Sequence, residues 1–187
     1  MTTRIPIDLE KSYRLLNHGP TVLVSSHHAG KDNVMAAAWS MPLDFKPPKV
    51  AVVIDKNTLT RKLVEASGEF ALNVPARELA KLTVDVGSVS GREVDKFAAY
   101  GAATFQGEQV AAPLLEGCIA WLECRLIPEP HIQDTYDLFL GEVVAAWADP
   151  AAFGNGHWNP EQGGRKSIHY VAGGHFFETG EAFEVKD

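Results

Sequence analysis

Asn33-Val-Met-Ala-Ala-Ala-Trp-Ser-Met-Pro42 can be read as helix or as strand. Its three consecutive alanines favour a helix. Its neighbours favour a strand: Pro42 closes it, and the short turn Ala29-Gly30-Lys31-Asp32 separates it from the β-branched run at residues 21–26 (TVLVSS). Together the two segments predict a hairpin. Residues 49–55 (KVAVVID), behind Pro47-Pro48, form the clearest strand in the chain.

Further along, residues 60–67 predict a short helix with Gly68 as its C-terminal cap. Residues 69–74 (EFALNV) alternate as a half-buried strand does. Leu79, Leu82 and Val86 form a helical stripe over residues 76–86. Two long strands are expected at 118–127 and 136–147, with the polar residues 128–135 as the hairpin between them. Residues 153–164 are rich in Gly, Asn and Pro and read as a mobile loop. Short strands at 167–171 and 175–177 follow. Strands dominate and helices are inserted without regular alternation. A doubly wound sheet would need that alternation, so the expected fold is mainly β, an antiparallel, Greek-key-like barrel with helical excursions. Residues 1–187 are expected to form a single domain.

The chain has 187 residues and a formal net charge of −7, and no run of Lys or Arg exceeds two. That argues against nucleic acid as a partner, which needs a basic face. A single phosphate needs only a local cluster. Residues 1–8 lack an apolar signal core, and no window approaches the 18 apolar residues of a membrane span. A cytoplasmic protein without membrane contact is the expectation. Cys118 and Cys124 lie on one expected strand at an even spacing, facing one side and about 20 Å apart. A disulfide tolerates at most about 7 Å, so reduced core thiols are expected. His27 and His28 would point to opposite faces of a strand. With no Cys-x-x-Cys or His-Glu-x-x-His pattern, no metal site is expected.

Two stretches carry candidate chemistry. Residues 55–62 follow a strand and open a helix, where free N–H groups and the helix dipole favour an anion. Thr58, Thr60 and Arg61 could add hydroxyls and a guanidinium to a phosphate seat; an ordinary capped surface helix has the same spacing. The alanines of residues 36–38 leave a ledge with little side-chain bulk. A flat ring could lie there, or a neighbouring helix could pack closely.

The ordered set of motifs resembles the flavin reductase-like, FMN-binding split-barrel family, and within it the flavoredoxin-like group. The set comprises Asn-x-Met-x-x-x-Trp-Ser-x-Pro at 33–42, Pro47-Pro48, Asn57-Thr58 with Lys62, Gly68-Glu-Phe-Ala-Leu-Asn-Val74, Asp95-Lys-Phe97, Leu122-Glu-Cys124 and Gly141-Glu-Val143. It spans roughly residues 10–175. The resemblance implies a split β-barrel that binds FMN near the interface of a homodimer. It also implies electron transfer from NADH or NADPH to a flavin or another acceptor, such as an oxygenase partner, or else a flavoredoxin-like carrier without nicotinamide turnover. It places Ala37, Ala38, Trp39 and Ser40 at the isoalloxazine ring, with Asn33, Met35 and Met41 of the same motif. Asn57, Thr58, Thr60 and Arg61 would serve the ribityl chain and phosphate. Lys96 and Phe97 would approach the flavin, with His169 and Tyr170 near its edge, and Asn73 is a further buried amide candidate. No side chain is expected to act as acid, base or nucleophile, because the cofactor carries the chemistry. One departure stands out. Nicotinamide-using members often carry a histidine five residues before the glycine matched by Gly141, and Tyr136 holds that place here.

Overall fold

The computed structural model describes residues 3–159 and 165–185. The chain opens with β1 (Ile5–Pro6) and a 3-10 turn (Leu9–Leu15), then β2 (Val22–His28), β3 (Lys31–Ala37), β4 (Ser40–Phe45) and β5 (Pro48–Val53). Next come α1 (Leu59–Ser67), β6 (Glu69–Pro75), a short 3-10 turn (Arg77–Leu79), α2 (Ala80–Ser88) and α3 (Lys96–Tyr100). The small strands β7 (Thr104–Phe105) and β8 (Leu114–Leu115) precede β9 (Cys118–Ile127), α4 (Pro130–Tyr136) and β10 (Leu138–Ala148). Two small hairpins follow: β11 (Phe153–Gly154) with β12 (His157–Trp158), and β13 (Ile168–Ala172) with β14 (His175–Glu178).

The main sheet runs β3-β2-β6-β9-β10-β5-β4, with β1 added beside β10, and these pairings are antiparallel. It does not close. Its two edges are β3 and β4, joined only by Ala38-Trp39. This is a split barrel. The expected hairpin is present: Ala29 (φ 49) and Gly30 (φ 75) make its two-residue turn, both with positive φ, as the right-handed twist of the strands requires. The 33–42 motif, however, is two strands and not one, broken at the crossing from edge to edge.

Alternation places the core on both sides of the sheet. Val22, Val24, Phe70, Leu72 and Val74 fill the barrel interior. Leu23, Ala71 and Trp121 face an outer layer with Val34, Val86, Leu114 and Leu115. β6 is therefore buried on both faces, and the half-buried expectation for residues 69–74 is corrected: the segment 101–117 and α2 cover the side that alternation assigned to water. On that outer face Glu123 is fully buried. Its carboxylate accepts the N–H groups of Glu108, Gln109 and Val110 (2.9, 2.6 and 3.1 Å to Oε2) and Trp147 Nε1 (2.8 Å to Oε1). Gly141 has a packing reason as well: a Cβ there would stand 2.5 Å from Phe70 Cζ.

Two other expectations change. The strands flanking residues 128–135 pair antiparallel as the expected hairpin, but their connection carries helix α4, Pro130–Tyr136. Pro130 sits in its first turn, where no N–H is needed, and Gln133 Oε1 accepts the Glu129 N–H (2.8 Å). The cysteines do not share a face. A bulge in β9 places Val74 opposite Ala120 but Pro75 opposite Cys118, so the extra residue reverses the parity. Cys124 joins the barrel interior and Cys118 the outer layer, both fully buried and free. Helix α1 ends as read, at Gly68 (φ 71), whose N–H returns to Val64 O. Of the expected loop 153–164, residues 153–158 hold the β11–β12 hairpin, and residues 160–164 lie outside the described residues. The last two short strands appear where expected and pair with each other as β13 and β14.

Candidate functional site

Where the sheet fails to close, a cavity of about 900 Å³ opens. Met35, Ala36, Ala37, Ala38 and Trp39 form its floor, with Val53 beyond. One wall is α2, through Thr83, Val84, Gly87 and Ser88. The other is the β13–β14 hairpin, through Tyr170, Val171, Gly173, Gly174 and Phe176. Thr21, Asp55, Tyr136 and Asp137 complete the lining.

The floor is small-residued for two reasons at once. A Cβ on Gly87 would lie 3.2 Å from the Ala36 Cβ, so these two residues let α2 pack tightly on β3. Beyond that contact the remaining alanines leave open space. The backbone adds polar groups. Val34 O is turned away from β2 and accepts Lys96 Nζ (2.8 Å). In an antiparallel strand the outward-facing residues alternate, so the N–H and C=O of Ala36 face the same open edge. Ser40 Oγ, next to the floor, is buried without a hydrogen-bond partner among the described residues. A flat ring with alternating donors and acceptors matches such a ledge.

At the far end lies the start of α1. Asp55 Oδ1 accepts the Asn57 N–H (2.7 Å), and Thr58 Oγ1 donates to Asp55 O (2.8 Å) while accepting the Arg61 N–H (3.1 Å). Arg61 is not a free fork. Its Nε donates to Glu65 (2.7 Å), Nη1 to Asp137 (2.6 Å) and Nη2 to Asp134 (2.8 Å). Arg61 thus anchors Asp137, part of the cavity lining, and its guanidinium is already spanned by three carboxylates. Arg92, which no motif pointed to, reaches this helix start, with Nη2 on Thr58 O (3.3 Å).

The Flavin reductase like domain family matches residues 14–166. The chain belongs to the flavin reductase-like family. Its solved relatives share this split barrel. An FMN-binding domain of a flavin reductase-like enzyme from Shewanella baltica OS155 superposes with a TM-score of 0.96 at 47% identity, covering 99% of this chain and 98% of that one. Flavoredoxin of Desulfovibrio vulgaris (Miyazaki F) gives 0.78 at 25% identity, over 89% and 90%. The protein YddH of Escherichia coli K12 is 45% identical over 97% of each chain.

Of the residues singled out in this flavin reductase-like chain, Met35, Ala37, Ala38, Trp39 and Tyr170 line the cavity. Others serve the frame around it. Asn33 Nδ2 donates to Thr60 Oγ1 (2.8 Å), tying β3 to α1. Asn73 is fully buried, donating to Leu23 O and Ser25 Oγ and accepting the Leu115 N–H. Phe97 packs in the outer layer and Met41 is half exposed on edge strand β4. The residues of α2 and the Gly173-Gly174 turn were not anticipated. The helical stripe over residues 76–86 located α2 itself but not its place at the cavity, and the helix runs on through Gly87 and Ser88.

His169 is a clamp on the hairpin wall. Its Nδ1 meets Gly19 O (2.9 Å), and Thr21 adds two bonds, Thr21 N–H to Ile168 O and Tyr170 N–H to Thr21 Oγ1 (both 2.8 Å). His18 supports it through Ser167 Oγ (2.8 Å), with its ring 5.5 Å from that of His169. Burial, then the neighbouring His169, lowers the His18 pKa to about 4. Folding therefore selects neutral His18, while the unfolded chain takes the proton near pH 6.5. Stability is expected to be full above pH 6.5 and to fall by roughly 1 kcal/mol per unit down to about pH 4. Urea titrations across that range check it, and His18→Gln is expected to flatten the slope.

Proposed function

We propose that this chain binds FMN in the cavity between β3 and β4 and passes electrons from NADH or NADPH through it to a flavin or another acceptor. The observation that carries the reading is the unclosed sheet: a floor of Ala36, Ala37 and Ala38 beside an unpaired strand edge and the unsatisfied Ser40 hydroxyl. The FMN-binding Shewanella relative has the same architecture at 47% identity. Bound FMN supplies the redox chemistry. The protein's part is to hold and orient. Ala37, Ala38, Trp39 and Ser40 seat the ring, and Tyr170 and Phe176 close the space beside it. Asn57 and Thr58 stand at the phosphate end, where Arg92 supplies charge, Arg61 keeps Asp137 in place and buried Thr60 ties α1 to β3 through Asn33.

The protein works as a homodimer in this reading. Trp39, Met41, Leu43 and Phe45 are 75, 52, 44 and 61% exposed, at every second position leading from the cavity along edge strand β4. An apolar edge of that kind invites a second chain. It would bring the partner subunit to the mouth of the flavin site.

A second reading is an electron carrier without nicotinamide turnover. Tyr136, exposed at the cavity where nicotinamide-using relatives often place a histidine, favours it. One experiment separates them. The protein is loaded with FMN and mixed anaerobically with NADH or NADPH. Loss of the yellow absorbance within minutes is expected for the reductase. Colour that persists with both nucleotides but bleaches with dithionite selects the carrier. A protein that stays colourless after incubation with FMN overturns both.

A further inference from the structure

We propose that Lys96 is a positioning residue that favours the reduced form of the flavin by holding a fixed positive charge at the end of the ledge. The inference rests on the FMN reading above. Lys96 is 4% exposed. Its ammonium donates to Val34 O (2.8 Å) and to Val86 O (2.6 Å), the latter in the last turn of α2. Those two residues immediately precede Met35 and Gly87, which line the cavity. The ammonium therefore sits inside the seam between floor and wall, not in the cavity itself.

Its place along β3 is what matters. Val34 and Ala36 are successive stations on the open edge, about 7 Å apart at the rise of a β-strand. Lys96 occupies the first, and the second is offered to a ligand. Among the described residues no carboxylate bonds the ammonium. On α2, Lys81 and Asp85 pair with each other; on β3, Asp32 is held by His27. On α3, Asp95 accepts the N–H groups of Phe97 and Ala98, and Arg92 is on Thr58 O. Burial is the sole cause that lowers the Lys96 pKa, to about 8, so the group remains largely charged at neutral pH. An uncompensated buried charge is costly for a position that a methionine could fill, and it acts over distance because the surroundings are dry. Two electrons and one proton added to an oxidised flavin ring leave one extra negative charge. A cation about 7 Å along the same edge stabilises that state over the oxidised one.

The test is a redox titration of the FMN-loaded protein as wild type, Lys96→Met and Lys96→Arg, with oxidised FMN affinity measured by fluorescence quenching. Lys96→Met is expected to weaken binding of reduced FMN roughly ten- to fiftyfold more than that of oxidised FMN. This is a two-electron potential lower by about 30–50 mV. Lys96→Arg restores most of it. In the wild type the potential is expected to fall more steeply with pH above about 8. There Lys96 is neutral beside oxidised flavin and gains a proton on reduction, so Lys96→Met lacks this break. Equal weakening of both redox forms, unrelieved by arginine, makes Lys96 a structural prop and overturns the proposal. If the methionine variant does not fold, the pH break in the wild type decides alone, and its absence is fatal. Failure of the wild type to bind FMN overturns the functional reading instead.

Discussion

Glu123→Ala is expected to lower the unfolding free energy by about 3–5 kcal/mol, read from urea midpoints. Four donors converge on this fully buried carboxylate, three of them backbone N–H groups of residues 108–110. Removing it takes the acceptor from all four at once, and the Val110 N–H among them is buried. Gly107 shows how closely the loop approaches: a Cβ there would stand 2.6 Å from Glu123 Oε2. The loss extends past the loop. The Trp147 indole hangs from the same carboxylate, and the Arg4 guanidinium lies over the Trp147 and Phe105 rings at 4.5 and 4.7 Å. Glu123→Gln keeps one acceptor oxygen but turns an amide N–H₂ towards these donors, so it is expected to recover less than half of the loss. A change under 1 kcal/mol for the alanine variant would mean that residues 106–110 hold themselves.

Ala38→Trp is expected to cut FMN affinity at least about a hundredfold, some 2.7 kcal/mol, while leaving stability within about 0.5 kcal/mol. Ala38 is exposed, lies at the crossing between β3 and β4 and contributes to the cavity floor. An indole there fills the floor without entering the packed layer, which Ala36 would not permit because Gly87 already presses on it. FMN fluorescence quenching and thermal unfolding of the same samples separate the two effects. Undiminished binding to a folded variant would move the flavin off this ledge.

The sequence showed the strands better than the faces they cover. β-branched runs and turn residues located β2, β5, β9 and the β13–β14 pair, because those signals are local. What escaped was decided between elements. EFALNV alternates as if one face met water, yet residues 101–117 bury that face, and nothing in residues 69–74 records it. Residues 128–135 do connect a hairpin, but they read as a polar loop; only Pro130 with Gln133 four residues after Glu129 betrays the helix in it. At the site, the alanine ledge was legible because small residues in a row are conspicuous. Arg61 was legible as a charge, but not as one claimed by Glu65, Asp134 and Asp137, two of which arrive from about 75 positions away. Lys96 read as a residue approaching the flavin and stands instead behind the ledge.

The parity reversal in β9 has a chemical consequence if the protein carries reduced flavin as proposed. Reduced flavin leaks electrons to oxygen and yields peroxide, and peroxide attacks exposed thiolates first. Here the sheet itself partitions the two sulfhydryls, one to each layer, with no surface on either and with burial pushing both well above the usual thiol range. They can neither be oxidised readily nor crosslink to one another. Among the described residues the sulfurs left within reach are the thioethers of Met35, in the cavity floor, and Met41, 52% exposed on edge strand β4, and thioether oxidation is reversible.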